Sequence, residues 1–369
     1  MPPAREAHQT APSDLRAAVS EVLEGFLHDQ AAVLTEVSDD CTPVLEAISA
    51  LLSGGKRLRP SFCYWGFHGV PGRAPDEATE RGIVTAAAAL ELFQAAALIH
   101  DDVMDDSDTR RGQPAVHRRF EALHREQGWD GSDQRFGLAG AVLAGDLCLG
   151  WSDELFSRAT LPIDAVVRGR RIFNTMRTQL MGGQYLDMLE QASSTQRGAA
   201  GAVDRARRVL TFKSAKYSIE HPLLLGGSLA GAPTDLLADY SRFGLALGEA
   251  FQLRDDVLGV FGDPAETGKP AGDDLREGKR TVLVGLAVQN ATAVQSTEID
   301  RLLGSPDLDT DGVEVLRQVL TDTGALEGVE QMIAEQVDVA CTTLDAADLD
   351  ETARAALHEL VVAATSRRS

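Results

Sequence analysis

Apolar residues recur along this chain at helical spacing, whereas the alternation of apolar and polar residues that indicates β-strands is nearly absent. Most segments are rich in alanine, leucine, glutamate and arginine, which favour helices. Ser13 is a predicted N-cap, and it precedes an apolar stripe of Leu15, Val19, Val22, Leu23 and Phe26. Further helices are predicted over 43–53, 60–68, 77–106, 137–158, 163–190, 202–229, 233–261, 281–290, 312–323, 326–345 and 350–365. We therefore expect an all-α fold.

The segments between these helices contain glycine, proline and serine, but none has the length of an interdomain linker. The predicted loops lie at 71–75, 124–135, 193–201 and 262–280. We expect one helical domain over 13–369, preceded by a disordered polar tail over 1–12.

The overall charge is strongly negative: 35 lysines and arginines stand against 56 aspartates and glutamates, a net charge of −21. Such a polyanion repels nucleic acids and anionic membranes, so we expect neither as a partner. An anionic substrate would therefore need local basic groups or metal ions.

Several features predict a cytoplasmic protein with no stable membrane insertion. The most apolar stretch, 83–99, contains Glu91 and Gln94 and runs into a group of aspartates, which fits a buried core helix better than a membrane span. The four cysteines are scattered without CxxC spacing, and residues 1–14 lack the apolar core of a signal peptide. We expect the cysteines to be reduced thiols.

The first acidic cluster ends that apolar stretch. Asp101 and Asp105 are four residues apart and share one face of a helix, which is unfavourable for two like charges unless a cation lies between them. Carboxylate oxygens suit Mg²⁺, which usually binds through one or two carboxylates and substrate phosphates. Arg110 and Arg111 follow in a turn suited to phosphate contacts. The alternative is a solvated acidic helix end.

Two further segments carry charges suited to a diphosphate. Asp255 and Asp256 end a second apolar helix, and the loop after them contains Lys269 and Lys279, which suggests a lid over a metal-bound diphosphate. The basic turn 54–60 has three cations in four positions beside two glycines, a pattern suited to phosphate oxygens. It lacks the spacing of a P-loop. The alternatives are an exposed charged loop and a basic turn that balances nearby acids.

Taken in order, these motifs resemble the polyprenyl synthetase family, the trans-isoprenyl diphosphate synthases, over about residues 15–365. FCYWG at 62–66 looks like the geranylgeranyl diphosphate synthases of that family. The ordered set is GGKRLRP at 54–60, DDVMD at 101–105, TRRG at 109–112, GGQYLD at 182–187, FKSAKYS at 212–218, FQLRDD at 251–256, and GK, DL and EGKR within 268–280. The resemblance implies a helical bundle around a central substrate cavity and condensation of isopentenyl diphosphate with an allylic diphosphate.

The resemblance also implies roles for individual residues. Isopentenyl diphosphate would be held by Lys56, Arg59, Gln94 and Arg111. Three Mg²⁺ ions on the allylic diphosphate would be bound by Asp101, Asp105 and Asp255, supported by Asp102 and Asp256. The same diphosphate would be contacted by Arg110, Lys213, Lys269 and Lys279. The groups near the metals would include Gln184 and Asp187, and the allylic cation would be steadied by groups near Lys213, Ser214 and Gln252.

The chain departs from the family pattern in the second cluster, where many relatives carry a third aspartate and this chain has Gly259. Asp255, which matters most in that pattern, is present. We expect activity to be retained, with Asp263 or Asp274 compensating.

Product length is expected to depend on the residues one turn before Asp101, where Ala97 and Ala96 are both small. Relatives that stop at farnesyl diphosphate often carry bulky aromatics there, so we expect a longer product, geranylgeranyl diphosphate. Farnesyl and longer polyprenyl products are the alternatives. A residue further along, Met181 or Leu147-Cys148, would stop the chain. Phenylalanine at position 96 or 97 should shorten the product.

Two other classes share parts of this pattern. A class I terpene cyclase has the helical fold and an aspartate-rich motif, but it would lack the basic turn because it binds no isopentenyl diphosphate. A non-catalytic subunit of a heteromeric synthase usually loses an aspartate motif, and here the first is complete. As family members are typically homodimers, we expect a homodimer.

Overall fold

The computed structural model describes residues 12–262 and 272–365, which are almost entirely helical. The helices are α1 (Pro12–Val37), α2 (Thr42–Leu52), α3 (Leu58–His68), α4 (Glu77–Met104), α5 (Val116–Gln127), α6 (Asp133–Ser157), α7 (Ile163–Arg197), α8 (Ala202–Val209), α9 (His221–Ala230), α10 (Thr234–Phe261), α11 (Asp273–Arg276), α12 (Val282–Asn290), α13 (Ala293–Leu302), α14 (Thr310–Asp322), α15 (Ala325–Ala346) and α16 (Glu351–Thr365). The other elements are a 3₁₀ turn (Asp39–Cys41), a π-helix (Leu210–Glu220), and the antiparallel strands β1 (Thr109–Arg110) and β2 (Gln113–Pro114). The expected all-α class is confirmed.

The contacts divide the chain into two compact units. The first comprises the described residues up to Gly169 together with Gly226–Gly231, and the second comprises Arg170–Leu225 and the described residues from Ala232 onward. The expectation of a single domain over 13–369 stays a prediction. Residues 1–11 of the expected tail lie outside the described residues, and α1 is described from Pro12, so the prediction of Ser13 as an N-cap stays a prediction.

In the first unit, α4 is the central helix and packs against α1, α3 and α6. Its run of four alanines, 86–89, is fully buried. Small residues let neighbouring helices approach closely: a Cβ on Gly145 of α6 would come 2.1 Å from the His100 ring. By length and composition α4 could cross a membrane, but 83% of its apolar window is buried inside the protein, as expected for a core helix.

In the second unit, α10 packs against α15 and the π-helix. The π-helix continues α8 and leads directly into α9, so 202–230 is one helical run with a change of winding in the middle. Arg254 of α10 forms a bidentate ion pair with Glu330 of α15, with distances of 2.6 and 2.7 Å. This bidentate pair helps to fix the register of the two helices.

Two polar helices were missed. Helix α5 was missed because its sequence is mostly polar, although Phe120 and His124 are buried. Helix α13 was also missed; a capping box between Thr292 and Gln295 starts it. Helix α7 runs to Arg197 and so includes the first five residues of the predicted loop at 193–201.

Candidate active site

The basic turn before α3 is tied to α4 by a buried ion pair. Arg57 and Glu91 are each 5% exposed, and their side chains are in direct contact. Arg57 also donates to the carbonyl of Leu52 and adopts a left-handed backbone with φ of 53°. Arg57 is therefore a structural residue of the turn, whereas Lys56 is exposed and Arg59 partly exposed, as diphosphate ligands must be.

Arg111 lies over the same turn. Its Nη1 donates to the Leu51 carbonyl at 3.1 Å, and a Cβ on Gly55, whose φ is +109°, would come 3.2 Å from that nitrogen. Gly55 is thus required by both its backbone and its close approach to the guanidinium. Desolvation lowers the pKa of Arg111, and the negative charge of Glu91 opposes this shift. Neighbouring cations lower the pKa further. Those cations are Arg57, Arg59 and Arg110. The first unit therefore concentrates guanidinium groups, which favours a bound anion.

The carboxylates at the end of α4 have different environments. Asp101 and Asp105 are partly exposed, and the Asp105 N–H donates to the Asp101 carbonyl at 2.8 Å, which ends the helix. Asp102 is only 2% exposed, and its Oδ1 accepts from Nε of Arg110 at 2.8 Å. Arg110 also lies 3.5 Å from Asp101. Asp101 and Asp105 are therefore the carboxylates available to a ligand, and Asp102 is held by Arg110.

The face of α4 below this cluster carries the other predicted residues. Gln94 lies two turns before Asp101 on the same face, is 8% exposed, and its Oε1 has no hydrogen-bond partner in the described part of the chain. Ala97 is partly exposed, whereas Ala96 is fully buried. The sequence predicted the same role for both alanines, but their environments differ, and only Ala97 is accessible.

In the second unit, Lys213 and Ser214 lie on the π-helix, which two glycines allow to pack closely. A Cβ on Gly183 of α7 would come 2.5 Å from the backbone N of Lys213, and one on Gly248 of α10 would come 2.6 Å from Cα of Ala215. Lys213 Nζ forms a 2.6 Å ion pair with Asp187 of α7. The structure therefore brings Lys213 and Asp187 together, as a consequence of this close packing.

Replacing Gly183 with alanine should lower the free energy of unfolding by about 1–3 kcal/mol, because the added carbon meets rigid backbone. It should also lower catalytic turnover, because Lys213 is displaced. The matched control is Gly182→Ala, where the added carbon meets nothing within 4 Å and helix propensity should stabilise by about 0.5–1 kcal/mol. Urea unfolding of both variants measures the difference, and equal unfolding free energies would contradict this view of the helix contact.

The second acidic cluster lies within α10, which continues to Phe261, so the prediction that Asp255 and Asp256 end this helix was wrong. Asp255 is exposed, whereas Asp256 is 7% exposed and accepts from Nε2 of Gln252 at 2.8 Å. Burial raises the pKa of Asp256 well above its ordinary value; the Gln252 hydrogen bond opposes this, and the charges of Asp274 and Asp255 add to it. Lys279 lies 3.4 Å from Asp274. Lys269 and Asp263 lie outside the described residues.

The residues present fit Mg²⁺ in chemistry. Asp101 and Asp105 are partly exposed and Asp255 is exposed, and their carboxylates are the hard oxygen donors that suit Mg²⁺. The described residues contain no group of three His, Cys, Asp or Glu side chains able to hold a metal alone. This suits an ion that completes its coordination with substrate and water.

Comparison with known proteins decides the family. The sequence profile described as polyprenyl synthetase matches residues 42–321. The chain belongs to the polyprenyl synthetase family. A crystal structure of a geranylgeranyl pyrophosphate synthase from Corynebacterium glutamicum, complexed with isoprenyl diphosphate and magnesium, is 38% identical with a TM-score of 0.90 and covers 96% of this chain and 99% of that one.

The chain is also similar to characterised isoprenyl diphosphate synthases. A geranylgeranyl diphosphate synthase of Sulfolobus acidocaldarius is 34% identical over 251 residues, 67% of this chain and 68% of the relative. A geranylfarnesyl diphosphate synthase of Aeropyrum pernix is 32% identical over 289 residues, 77% of this chain and 81% of the relative. This chain is a prenyltransferase of isoprenyl diphosphates.

Sequence reasoning missed the residues that position the site. Glu91 was treated only as a charge in an apolar helix, and Arg57 was not separated from its neighbours in the basic turn. Gly183 was quoted within a motif without a reason for being glycine. The paired glycines at 182–183 inside a predicted helix were the available signal, since glycine within a helix usually has a packing reason.

Proposed function

We propose that this chain condenses isopentenyl diphosphate with an allylic diphosphate and makes geranylgeranyl diphosphate as its main product. One observation carries the proposal. The first unit contains both a cluster of guanidinium groups that includes Arg59 and Arg111, and the partly exposed carboxylates of Asp101 and Asp105. A cyclase has no isopentenyl diphosphate to bind and no use for the basic turn. The family membership and the names of the relatives support the same reaction.

The proposed roles follow the environments of the residues. In the first unit, Lys56, Arg59, Gln94 and Arg111 bind isopentenyl diphosphate, and Arg110 holds Asp102 in place by a hydrogen bond of 2.8 Å. The proposed ligands of Mg²⁺ are Asp101, Asp105 and Asp255. When bound, Mg²⁺ neutralises the diphosphate and favours its departure.

The second unit contributes the remaining proposed diphosphate contacts. Lys213 is held at 2.6 Å by Asp187, so its ammonium group is positioned before substrate arrives. Lys279 and Lys269 are the proposed contacts from the loop after α10. Ser214 and Gln252 are proposed to steady the allylic cation. Apolar walls, such as the alanines of α4, exclude the water that would quench it.

Incorporation of labelled isopentenyl diphosphate tests the reaction. Purified protein with Mg²⁺ and geranyl diphosphate should convert the label into an elongated diphosphate, and chelation of the metal by EDTA should abolish conversion. Absence of conversion by the protein alone would support a non-catalytic subunit. Formation of a cyclic hydrocarbon from the allylic diphosphate alone, without isopentenyl diphosphate, would support a cyclase.

Replacing Ala97 with phenylalanine should shorten the main product to farnesyl diphosphate or less, because Ala97 is accessible on the face that carries Asp101. The matched comparison is Ala96→Phe. At this fully buried site the larger ring should lower the free energy of unfolding by about 1–3 kcal/mol. Chromatography of the dephosphorylated products measures the change, and an unchanged product from Ala97→Phe would contradict the role given to Ala97.

We further propose a cytoplasmic homodimer. On α6, Leu138 and Val142 are 48% and 40% exposed and lie four residues apart on one face, and Leu143 beside Val142 is 61% exposed, an apolar surface suited to a second copy of this chain. Light scattering tests the assembly: a dimer has twice the 39.4 kDa mass of the chain, and a monomer at micromolar concentration would contradict it.

A further inference from the structure

One loop in the first unit, residues 105–115, carries both Arg110 and Arg111, and part of its backbone is strained. Asp106 and Arg111 have φ of 52° and 55°, in the left-handed region that residues other than glycine rarely adopt. Such conformations are costly and persist only where the surrounding structure holds them. The contacts that hold this loop therefore decide where its two arginines lie.

Arg118, in the first turn of α5, holds the loop with its guanidinium group. Its Nε donates to Oδ1 of Asp108 at 2.9 Å, and its Nη2 donates to Oδ1 of Asp106 at 2.9 Å. Its Nη1 donates to Oε1 of Glu121, one turn further along α5, at 2.9 Å. The side chain of Glu121 is 7% exposed, so the guanidinium is held from inside the protein while it binds the loop at two points.

Helix α5 is a rigid support for Arg118 because it packs closely on α6. A Cβ on Gly137 of α6 would come 2.5 Å from Cγ of Glu121, and one on Gly140 would come 2.6 Å from the ring of Phe120. Phe120 is itself 4% exposed. Since α5 has little room to shift, Arg118 fixes the loop relative to the helices of the first unit.

The two arginines of the loop depend on this support to different degrees. Arg110 is also held by the buried carboxylate of Asp102 on α4, through a hydrogen bond of 2.8 Å from its Nε. Arg111 donates instead to a neutral carbonyl, that of Leu51, at 3.1 Å, and neighbouring guanidinium groups repel it. Hydrogen bonds to a charged partner are about twice as strong as neutral ones. A loosened loop should therefore displace Arg111 more than Arg110.

We propose that Arg118 is a positioning residue for Arg111: it fixes the loop and thereby sets the affinity for isopentenyl diphosphate, while binding of the allylic diphosphate depends on it much less. The inference rests on the proposed function, which assigns Arg111 to isopentenyl diphosphate. The alternative is that Arg118 only stabilises the fold through its ion pairs. That role would lower the amount of active protein without changing the KM of one substrate alone.

Steady-state kinetics with both substrates varied separate these two roles. Arg118→Gln should raise the KM for isopentenyl diphosphate about 10-fold, and change the KM for geranyl diphosphate and the turnover by less than about threefold. The double variant Asp106→Asn with Asp108→Ala removes the contact from the loop side and should give the same pattern; asparagine tolerates the left-handed backbone. The matched control is Arg125→Gln on the same helix. Arg125 is 57% exposed and pairs with Asp133 at 2.6 Å, so both KM values should stay within about threefold of the wild type.

Hydrogen exchange measured by mass spectrometry tests the same contact without turnover. In Arg118→Gln the amides of 106–112 should exchange faster than in the wild type, while those of α4 and α6 keep their wild-type protection. Faster exchange throughout the first unit would overturn the positioning role, because Arg118 would then serve the stability of the fold.

The kinetic outcomes also separate this inference from the proposed function. Wild-type KM values in Arg118→Gln and in the double variant, or an equal rise in both KM values, would overturn the role of Arg118, while condensation by the wild type would still support the function. A wild-type protein that does not condense isopentenyl diphosphate with geranyl diphosphate would overturn both.

Discussion

Replacing Asp101 with asparagine is expected to lower turnover by about a thousandfold, the largest effect of any single substitution on activity. Asp101 is the accessible carboxylate nearest the Arg110–Asp102 pair, and asparagine keeps its size while removing the negative charge that a metal ion requires. The reaction develops charge on departing pyrophosphate, so loss of one ligand weakens stabilisation of the transition state more than substrate binding. The measurement is steady-state kinetics at saturating Mg²⁺.

The control for this substitution is Asp108→Asn, a nearby exposed carboxylate that contacts Arg118 at 2.9 Å. It should change turnover less than about threefold, because exposed ion pairs contribute little. Circular dichroism should show both variants folded. Wild-type turnover in Asp101→Asn would contradict the assignment of Asp101 as a metal ligand.

Replacing Glu91 with alanine is expected to have the largest effect on stability, a loss of about 3–5 kcal/mol of unfolding free energy. The substitution leaves Arg57 buried, charged and without its carboxylate partner. Because Arg57 fixes the turn that carries Lys56 and Arg59, any folded fraction should also show a raised KM for isopentenyl diphosphate. Urea unfolding and steady-state kinetics measure the two effects.

The control lies on the same helix. Glu77 and Arg81 of α4 form an exposed i,i+4 ion pair with side chains 88% and 65% exposed, so Glu77→Ala should cost less than about 1 kcal/mol. Replacing both Arg57 and Glu91 with apolar residues of similar size should recover much of the lost stability. Equal losses for Glu77→Ala and Glu91→Ala would show that the buried pair does not hold the turn.

The sequence predicted the helical class well, because helix formation depends on local patterns. Apolar spacing marked α4 and α10, and the ordered motifs pointed to Asp101 in the last turn of α4 and to Asp255 within α10. In each unit, residues that the motifs linked lie near one another, as Lys213 and Asp187 do. What the sequence predicted well is therefore what a single helix or a short motif contains.

What the sequence could not predict depends on contacts between distant segments. Three cations within four residues look alike in a sequence, and only burial against Glu91, 34 residues away, separates Arg57 from Lys56 and Arg59. The sequence of the π-helix does not distinguish it from an α-helix. In the structure this segment packs closely against Gly183 of α7 and Gly248 of α10, a contact that the sequence does not show. Asp263 and Asp274 were equal candidates to replace the missing carboxylate; a Cβ on Gly259 would lie 1.9 Å from Oδ2 of Asp274, a contact between segments that no local pattern predicts, and Asp263 lies outside the described residues.

The most direct test of the account is the identity of the product that the wild-type protein makes from farnesyl diphosphate, isopentenyl diphosphate and Mg²⁺. After dephosphorylation, chromatography with mass detection should show geranylgeraniol as the main product, and none should form when the metal is chelated. If farnesol from unreacted farnesyl diphosphate were the only alcohol detected, and geranyl diphosphate were not extended either, the assignment of this chain as a synthase that condenses isopentenyl diphosphate would be contradicted.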